Sequence, residues 1–258
     1  MKVLTQTIYN EVVENGYAVL PNAISKDLAS DLRTRLAEIV QTQRINQTPK
    51  TASDDYMVHN PMFLDPEFMA LLEHPSLVEV FDTFLSETSI IYACTTSSMP
   101  AGSSNYSGRI HVDSPRIIPG YFSKIGIILA LDDFTIENGA TFILPRSQNT
   151  EVAPDTEYFF KKAERLILSA GDFAILDPRV WHCGGNNQST RDRHAFTISG
   201  CRSFMRQRFD YPRFMDEKSV SELSPTLRRL LGFNVRVPTS LEEYYMSGDD
   251  RLYKPNQG

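Results

Sequence analysis

Short β-forming segments fill the middle of the chain from Ser89 onward, and glycines and prolines separate them at short intervals. No helical apolar period lies between these segments, so they must bury their apolar faces against one another. This pattern predicts a sandwich or a rolled barrel. The candidate strands are residues 90–96, 110–113, 124–131, 140–144, 165–168, 173–176 and 194–199.

Apolar spacings typical of amphipathic helices flank this β region on both sides. Helix-capping residues and prolines at first helical positions mark where several of these helices begin. Residues 41–55 are polar and predict a loop. The predicted flanking elements are helices over 4–14, after Ser25, after Asp65, from Ser76, from Ser224 to Gly232 and over 240–246, with a short strand over 17–20.

The length of 258 residues fits one large domain with a substantial core. No repeat, low-complexity stretch or linker divides the chain. We therefore expect a single domain over 1–258, with a helical flank over about 1–87, a β core over about 88–205 and a C-terminal extension over about 206–258.

Charge and composition narrow the classes of function. The net charge of −6 argues against nonspecific nucleic-acid binding and favours a small-molecule substrate. The first residues lack a signal-peptide core and the apolar run 125–131 is too short to span a bilayer, so we expect no membrane association and a cytoplasmic protein. The three cysteines show no metal-ligand spacing. No heptad pattern indicates an oligomeric state.

His111 and Asp113 stand two residues apart in a segment that is expected to be extended. Side chains two apart on a strand point to the same side, so this imidazole and carboxylate can reach one ion together. His182, later in the β region, offers a second imidazole. Two histidines and one carboxylate leave open positions on a metal, and Fe(II) in an oxygenase is their usual occupant.

An ordinary structural role is the alternative for each histidine, and the chain has only five of them. His59 and His74 lie in the helical first third, and strand alternation turns His194 away from Arg193. The pattern therefore favours His111 and His182 as the ligand pair.

Several segments follow one another in a characteristic order. They are residues 15–20, His111-Val112-Asp113, residues 129–140, Leu144-Pro145-Arg146-Ser147, Ala170-Gly171-Asp172 and Trp181-His182, with a basic residue shortly afterwards. In this order and spacing they resemble the phytanoyl-CoA dioxygenase family of Fe(II)- and 2-oxoglutarate-dependent oxygenases, over most of the chain. Within 129–140, the role expected for Gly139 is a positive φ angle in a turn.

The resemblance implies a mainly β fold. Its core would be a double-stranded β-helix (jelly-roll, cupin-like) with flanking N-terminal and C-terminal α-helices. His111, Asp113 and His182 would be the Fe(II) ligands, and 2-oxoglutarate and O2 would take the remaining positions on the metal. Related halogenases carry glycine or alanine at the carboxylate position, so Asp113 favours hydroxylation.

The distal carboxylate of 2-oxoglutarate would lie inside the barrel, where it needs a charged and preferably bidentate partner. Arg193 stands where the family carries this arginine, and Arg191 is the alternative. Gly184 stands where some relatives carry a hydroxyl that helps to bind the cosubstrate. Thr141 or Thr197 could supply that hydroxyl, although we favour a structural role for both.

The predicted substrate-binding residues flank the His111–Asp113 pair or follow the last strand: Tyr106, Arg109, Arg116, Tyr121 and Arg202, with Arg206 as an alternative to the last. Several arginines near a cavity favour an anionic or amino-acid-derived metabolite, and solvated surface charge is the alternative. The predicted reaction is hydroxylation of a C–H bond with release of succinate and CO2. Desaturation, cyclisation, epimerisation or dealkylation could use the same iron. A cupin-like metal isomerase or lyase and a non-catalytic binding module are further alternatives.

Overall fold

The computed structural model describes residues 6–46 and 56–257. Two antiparallel β-sheets form its centre, and helices precede and follow them. The strands are β1 (Tyr17–Leu20), β2 (Ile90–Thr96), β3 (Lys124–Ala130), β4 (Phe142–Ile143), β5 (Glu164–Arg165), β6 (Phe173–Leu176), β7 (His182–Cys183) and β8 (Ala195–Cys201). The helices are α1 (Gln6–Asn15), α2 (Lys26–Asn46), α3 (Pro66–Leu71), α4 (Pro75–Leu85), α5 (Thr156–Lys162), α6 (Tyr211–Phe214), α7 (Glu217–Ser221), α8 (Pro225–Leu230) and α9 (Leu241–Tyr244).

The larger sheet has the strand order β1-β6-β3-β8-β2, and the smaller sheet has the order β5-β4-β7. Every strand pair in both sheets is antiparallel. Isolated bridges extend the smaller sheet, and one of them joins His111 to His182. The backbone thus brings these two histidines together directly, although they are far apart in sequence.

The two faces of the central strand β3 have different neighbours. Ile125, Ile127 and Leu129 pack into a core shared with α2 and α4, whereas Ile128 and Ala130 pack against residues of the smaller sheet. Because strand side chains alternate, Lys124 and Gly126 belong to the second, inward face. The inward face of β3 is therefore polar or without a side chain at its start and apolar towards its end.

Several local predictions are confirmed in detail. The strands over 17–20, 90–96 and 173–176 have the predicted bounds. Side chains of Ser25, Asp65 and Ser224 accept hydrogen bonds from first-turn backbone amides, as helix caps do. Gly139 adopts a φ of +82°.

Other predictions were wrong. Residues 110–113 form no strand beyond the bridge at His111, because the Ser114 amide bonds instead to the Pro178 carbonyl and Pro115 has no amide to donate. The polar stretch after Gln41 continues α2 to Asn46, since glutamine and arginine favour helices; residues 47–55 of the predicted loop lie outside the described residues.

Smaller differences concern helix starts and three additional helices, which are α5, α6 and α7. Helix α4 begins at Pro75, one residue before the predicted start, and His74 caps it. Helix α5 lies inside the predicted all-β region, where Asp155 caps the Tyr158 amide. The predicted helix over 4–14 is present from Gln6, and its first residues lie outside the described part. None of the helices in residues 6–46 and 56–257 combines the length and apolar character that a membrane-spanning segment needs.

Candidate metal and cosubstrate site

His111, Asp113 and His182 converge at the end of the smaller sheet. One potential ligand atom from each lies within 4.8 Å of the other two. The His111 Nε2 atom is 3.7 Å from Asp113 Oδ1, and the two imidazole centroids are 4.3 Å apart. His182 is buried, whereas 33% of the His111 side chain and 34% of the Asp113 side chain are exposed. The cluster is therefore shielded from solvent at His182 and accessible to solvent at His111 and Asp113.

Both histidine rings are oriented by a hydrogen bond to the backbone carbonyl two residues earlier. The Nδ1–H of His111 donates to the Arg109 carbonyl at 2.7 Å, and the Nδ1–H of His182 donates to the Val180 carbonyl at 2.9 Å. A carbonyl oxygen only accepts, so each Nδ1 carries the proton and each Nε2 keeps its lone pair. This is the tautomer that a metal-ligating imidazole requires.

The segment after Asp113 is braced from beneath by a buried arginine. Arg179 donates from Nη1 to the Ser114 carbonyl at 3.1 Å and from Nη2 to the Thr150 carbonyl at 2.6 Å. A side chain in place of Gly126 would put its Cβ 3.9 Å from Asp113 Oδ2. The backbone next to Asp113 is therefore held in place, and Gly126 leaves the β3 side of the carboxylate without a neighbouring side chain.

Arg193 is buried between the sheets, with 2% of its surface exposed. Its Nη1 donates to the Gly139 carbonyl at 2.6 Å, and its guanidinium carbon lies 3.8 Å above the Phe134 ring. Its buried Nε has no hydrogen-bond partner in the described part of the chain. Among the described residues, no carboxylate lies within ion-pair distance of it. Arg191, in contrast, is exposed. A buried guanidinium with an unpaired donor fits the anionic end of a dicarboxylate, so the residues present fit the implied cosubstrate.

The structure separates the two candidate hydroxyls. Thr197 lies on the inward face of β8 and pairs with Ile128, while Thr141 is buried immediately before β4. A Cβ on Gly184 would meet Ser107 Oγ at 2.6 Å and Met99 Cε at 2.9 Å. Ser107 therefore fills the space that a side chain at 184 would occupy.

The predicted substrate residues form two pairs and one single residue in the structure. Arg109 stacks on the Tyr106 ring at 4.7 Å, and Arg202 stacks on the Tyr121 ring at 4.6 Å. Arg116 is exposed and lines, with Tyr121, a small cavity of about 40 Å³. A groove of about 980 Å³ between α1 and α4 is separate from the metal-ligand cluster, because none of the three clustered residues lines it. Its acidic lining residues are Glu73, Glu79, Asp82 and Glu87.

Lys124 and Tyr92 are inward-facing residues that the sequence analysis missed. The Lys124 ammonium lies 4.0 Å above the centre of the Tyr92 ring and 3.4 Å from the Asp113 carbonyl oxygen. The sequence signal is a lysine that alternates with the outward-facing Ile125 and Ile127 in an otherwise apolar strand. In the structure, this position faces the space between the sheets.

Burial dominates the electrostatics of this region. It lowers the pKa of His111, an effect reinforced by the neighbouring His182, and it lowers the pKa of Lys124. It also lowers the pKa of Arg193 to about 10. Positive charge without a counter-charge is therefore unfavourable in this site, and binding of an anion would lower that free-energy cost.

A comparison with known protein families shows which family this chain belongs to. The sequence matches the family model of phytanoyl-CoA dioxygenase (PhyH) over residues 12–195, which is most of the chain. The chain belongs to the phytanoyl-CoA dioxygenase family. It is an oxidoreductase of the Fe(II)- and 2-oxoglutarate-dependent dioxygenase class, as predicted.

Relatives of this phytanoyl-CoA dioxygenase family member extend along nearly the whole chain. An uncharacterized protein of Mycobacterium tuberculosis is 33% identical over 251 residues, which cover 94% of this chain and 92% of that protein. The Aspergillus fumigatus protein named dioxygenase af480 is 24% identical over 235 residues, covering 86% and 74% of the two chains.

The solved structure of EctD from S. alaskensis with bound Fe resembles this fold with a TM-score of 0.68 at 15% identity, covering 80% of this chain and 79% of that one. This likeness confirms the predicted jelly-roll, cupin-like core.

Proposed function

We propose that this protein hydroxylates a C–H bond of a small polar metabolite that is anionic or derived from an amino acid, consuming 2-oxoglutarate and O2 and releasing succinate and CO2. The observation that carries the proposal is the pairing of two unlike features between the same sheets. One is the His111, Asp113 and His182 cluster with both Nε2 lone pairs free, and the other is the buried, incompletely bonded Arg193.

In this proposal His111, Asp113 and His182 hold Fe(II), since their donor set is the one that leaves open positions for other ligands. Arg193 binds the distal carboxylate of 2-oxoglutarate through its free donors, and the Phe134 ring keeps the guanidinium plane in place. Thr197, on the same inward face as Arg193, is better placed than Thr141 to supply a hydroxyl to that carboxylate. The bound iron, with 2-oxoglutarate and O2, supplies the oxidising power for C–H cleavage.

The protein's own contribution is binding, orientation and exclusion of water. The apolar layer that includes Ile128, Ala130 and Ile143 closes the inner end of the site. Asp113 fills the position whose loss in related halogenases opens a place for chloride, and this favours transfer of oxygen over transfer of halogen.

Positive charge on the predicted substrate residues supports an anionic substrate. Arg109 and Arg202 each rest on a tyrosine ring, which limits their motion, and Arg116 lies between them in sequence. Guanidinium groups held in this way are suited to a carboxylate.

A screen of candidate metabolites tests the proposal. The protein with Fe(II), 2-oxoglutarate and O2 is incubated with amino acids, their N-acyl derivatives and other small organic acids, and succinate and product mass are measured. We expect succinate above the uncoupled background together with a product that has gained one oxygen atom from O2. A product that has lost two hydrogens without gaining oxygen would replace hydroxylation by desaturation or cyclisation. Turnover of a substrate without any need for 2-oxoglutarate would contradict the proposal.

A further inference from the structure

Lys124 is a buried cation without a carboxylate partner. Only 5% of its surface is exposed, and no described carboxylate lies within 4.0 Å of its ammonium. Among the described residues, its ammonium makes one hydrogen bond, a long one of 3.4 Å to the Asp113 carbonyl. An ammonium has three protons to donate, and the Asp113 charge, which only partly opposes the effect of burial on the pKa of Lys124, is not in ion-pair contact with it. The position therefore suits a group that arrives from outside the chain.

The surrounding backbone is built to hold this lysine in place. The pairing of β2 with β8 shifts register between Ile91 and Ala93, so that Tyr92 is an extra, bulged residue. Bulges re-aim side chains and are frequent beside active sites. Here the bulge brings the Tyr92 ring to 4.0 Å below the Lys124 ammonium. The aromatic face fixes the cation without neutralising it.

Sheet register separates Lys124 from Arg193. Lys124 pairs with Cys201 at one end of β8, while Ala130 pairs with Ala195 at the other end, and Arg193 lies beyond Ala195. Six residues of strand span about 20 Å. The two side chains therefore start from opposite ends of β8, and the carboxylate proposed to bind Arg193 is not the group that Lys124 faces. The lysine is therefore available to a second ligand on the other side of the three clustered residues.

A small cavity adjoins Lys124. Its volume is about 40 Å³, enough for a group of a few atoms such as a carboxylate. Its charged lining residues are Arg116, Lys124, Arg179 and Asp177, so basic residues outnumber the single acid. Both terminal nitrogens of Arg179 already donate to backbone carbonyls, whereas the Lys124 ammonium makes one long hydrogen bond to a described residue.

We infer that Lys124, seated on the Tyr92 ring, binds a carboxylate of the primary substrate and so selects organic acids over neutral compounds. The inference rests on the proposed function, because it places the substrate beside the iron ligands. It adds the residue that fixes one end of the substrate beside the backbone carbonyl of Asp113.

Matched acid and amide probes test this role. The protein is loaded anaerobically with Fe(II) and 2-oxoglutarate, N-acetyl amino acids and their primary amides are titrated in, and changes in the visible absorption of the metal complex report binding. The wild-type protein should bind at least one acid about tenfold more tightly than its amide, or about 1.4 kcal/mol. Lys124→Met should abolish this preference, and Lys124→Arg should retain part of it.

Lys162→Met is the control, because Lys162 is an exposed lysine on α5 far along the chain from β3, and it should behave as the wild type. Thermal unfolding and 2-oxoglutarate affinity should be unchanged in Lys124→Met, and weaker 2-oxoglutarate binding would mean that the lysine only braces the Asp113 segment. Equal binding of acids and amides by the wild type, or a preference that survives in Lys124→Met, would overturn the inference alone. A wild-type protein with no 2-oxoglutarate absorption band before any probe is added would instead remove the proposed function and this inference with it.

Discussion

Replacing Arg193 by methionine is expected to weaken 2-oxoglutarate binding about 100-fold. Hydrogen bonds to a charged group contribute about 1.5–3 kcal/mol, and the upper part of that range applies where solvent cannot replace the lost donor. Arg193 meets this condition, since only 2% of it is exposed. A loss of about 3 kcal/mol corresponds to a factor of roughly 100 in the dissociation constant. Arg193→Lys keeps the charge but loses the planar fork, and a loss of about tenfold is expected.

The same substitution should leave the fold nearly as stable as before. Arg193→Met removes the hydrogen bond to the Gly139 carbonyl, which contributes about 1 kcal/mol net. It also removes a desolvated guanidinium whose Nε has no partner, and this gain opposes the loss. The free energy of unfolding should therefore change by less than about 2 kcal/mol.

Anaerobic titration of 2-oxoglutarate into the Fe(II)-loaded proteins, followed by the visible absorption band, measures the effect. Arg191→Met is the matched control, because Arg191 is an exposed arginine only two residues away. It should bind 2-oxoglutarate as the wild type does. Wild-type affinity in Arg193→Met, or a large loss in Arg191→Met, would refute the assignment of the anchor.

Three further changes test other parts of the site. Asp113→Gly should abolish hydroxylation while weaker Fe(II) binding persists, and unchanged turnover would exclude Asp113 as a ligand. Gly139→Ala should lower the free energy of unfolding, measured by urea titration, by about 1–3 kcal/mol. The φ of residue 139 is +82°, and the Cβ of an alanine there would lie 2.7 Å from the Gly185 carbonyl oxygen. A variant as stable as the wild type would contradict that geometry. The metal-free protein should lose stability as the pH falls below about 6.5, because burial lowers the pKa of His194 and the unfolded chain then binds more protons than the folded one. His194→Asn should make the free energy of unfolding less dependent on pH in this range. An unaltered pH dependence in that variant would refute this role of His194.

The sequence predicted which residues cluster but not how the chain brings them together. The His111-x-Asp113 spacing suggested a shared strand face, yet these residues lie on a bridge followed by a turn. Their convergence depends on the pairing of His111 with His182 and on Arg179 beneath the Ser114 carbonyl. Such non-local pairing leaves no trace in local residue patterns.

The choice between Arg191 and Arg193 shows the same limit. Residues two apart would share one face of a strand, so alternation alone does not separate them. The bridge between Met99 and Arg193 continues the ladder towards β8, while the Arg191 carbonyl accepts from the Asn187 side chain in a turn. The turn leaves Arg191 exposed and Arg193 buried.

Lys124 escaped prediction because one strand sequence does not reveal which of its faces is inward. Both faces of β3 are buried, one by helices and one by the smaller sheet. The helices themselves were largely predictable, since caps such as Asp65 and Ser224 are local signals. Helix α5 was missed because its aromatic residues, Tyr158, Phe159 and Phe160, favour strands on their own.

The most direct test of the proposed iron and 2-oxoglutarate site is the visible spectrum of the protein under anaerobic conditions. Addition of Fe(II) and 2-oxoglutarate should produce a weak metal-to-ligand charge-transfer band in the wild type, and His182→Ala should not produce it. A protein that binds iron without the band would point to a cupin-like metal enzyme with no oxoacid cosubstrate. A protein that binds no iron would contradict the metal site itself.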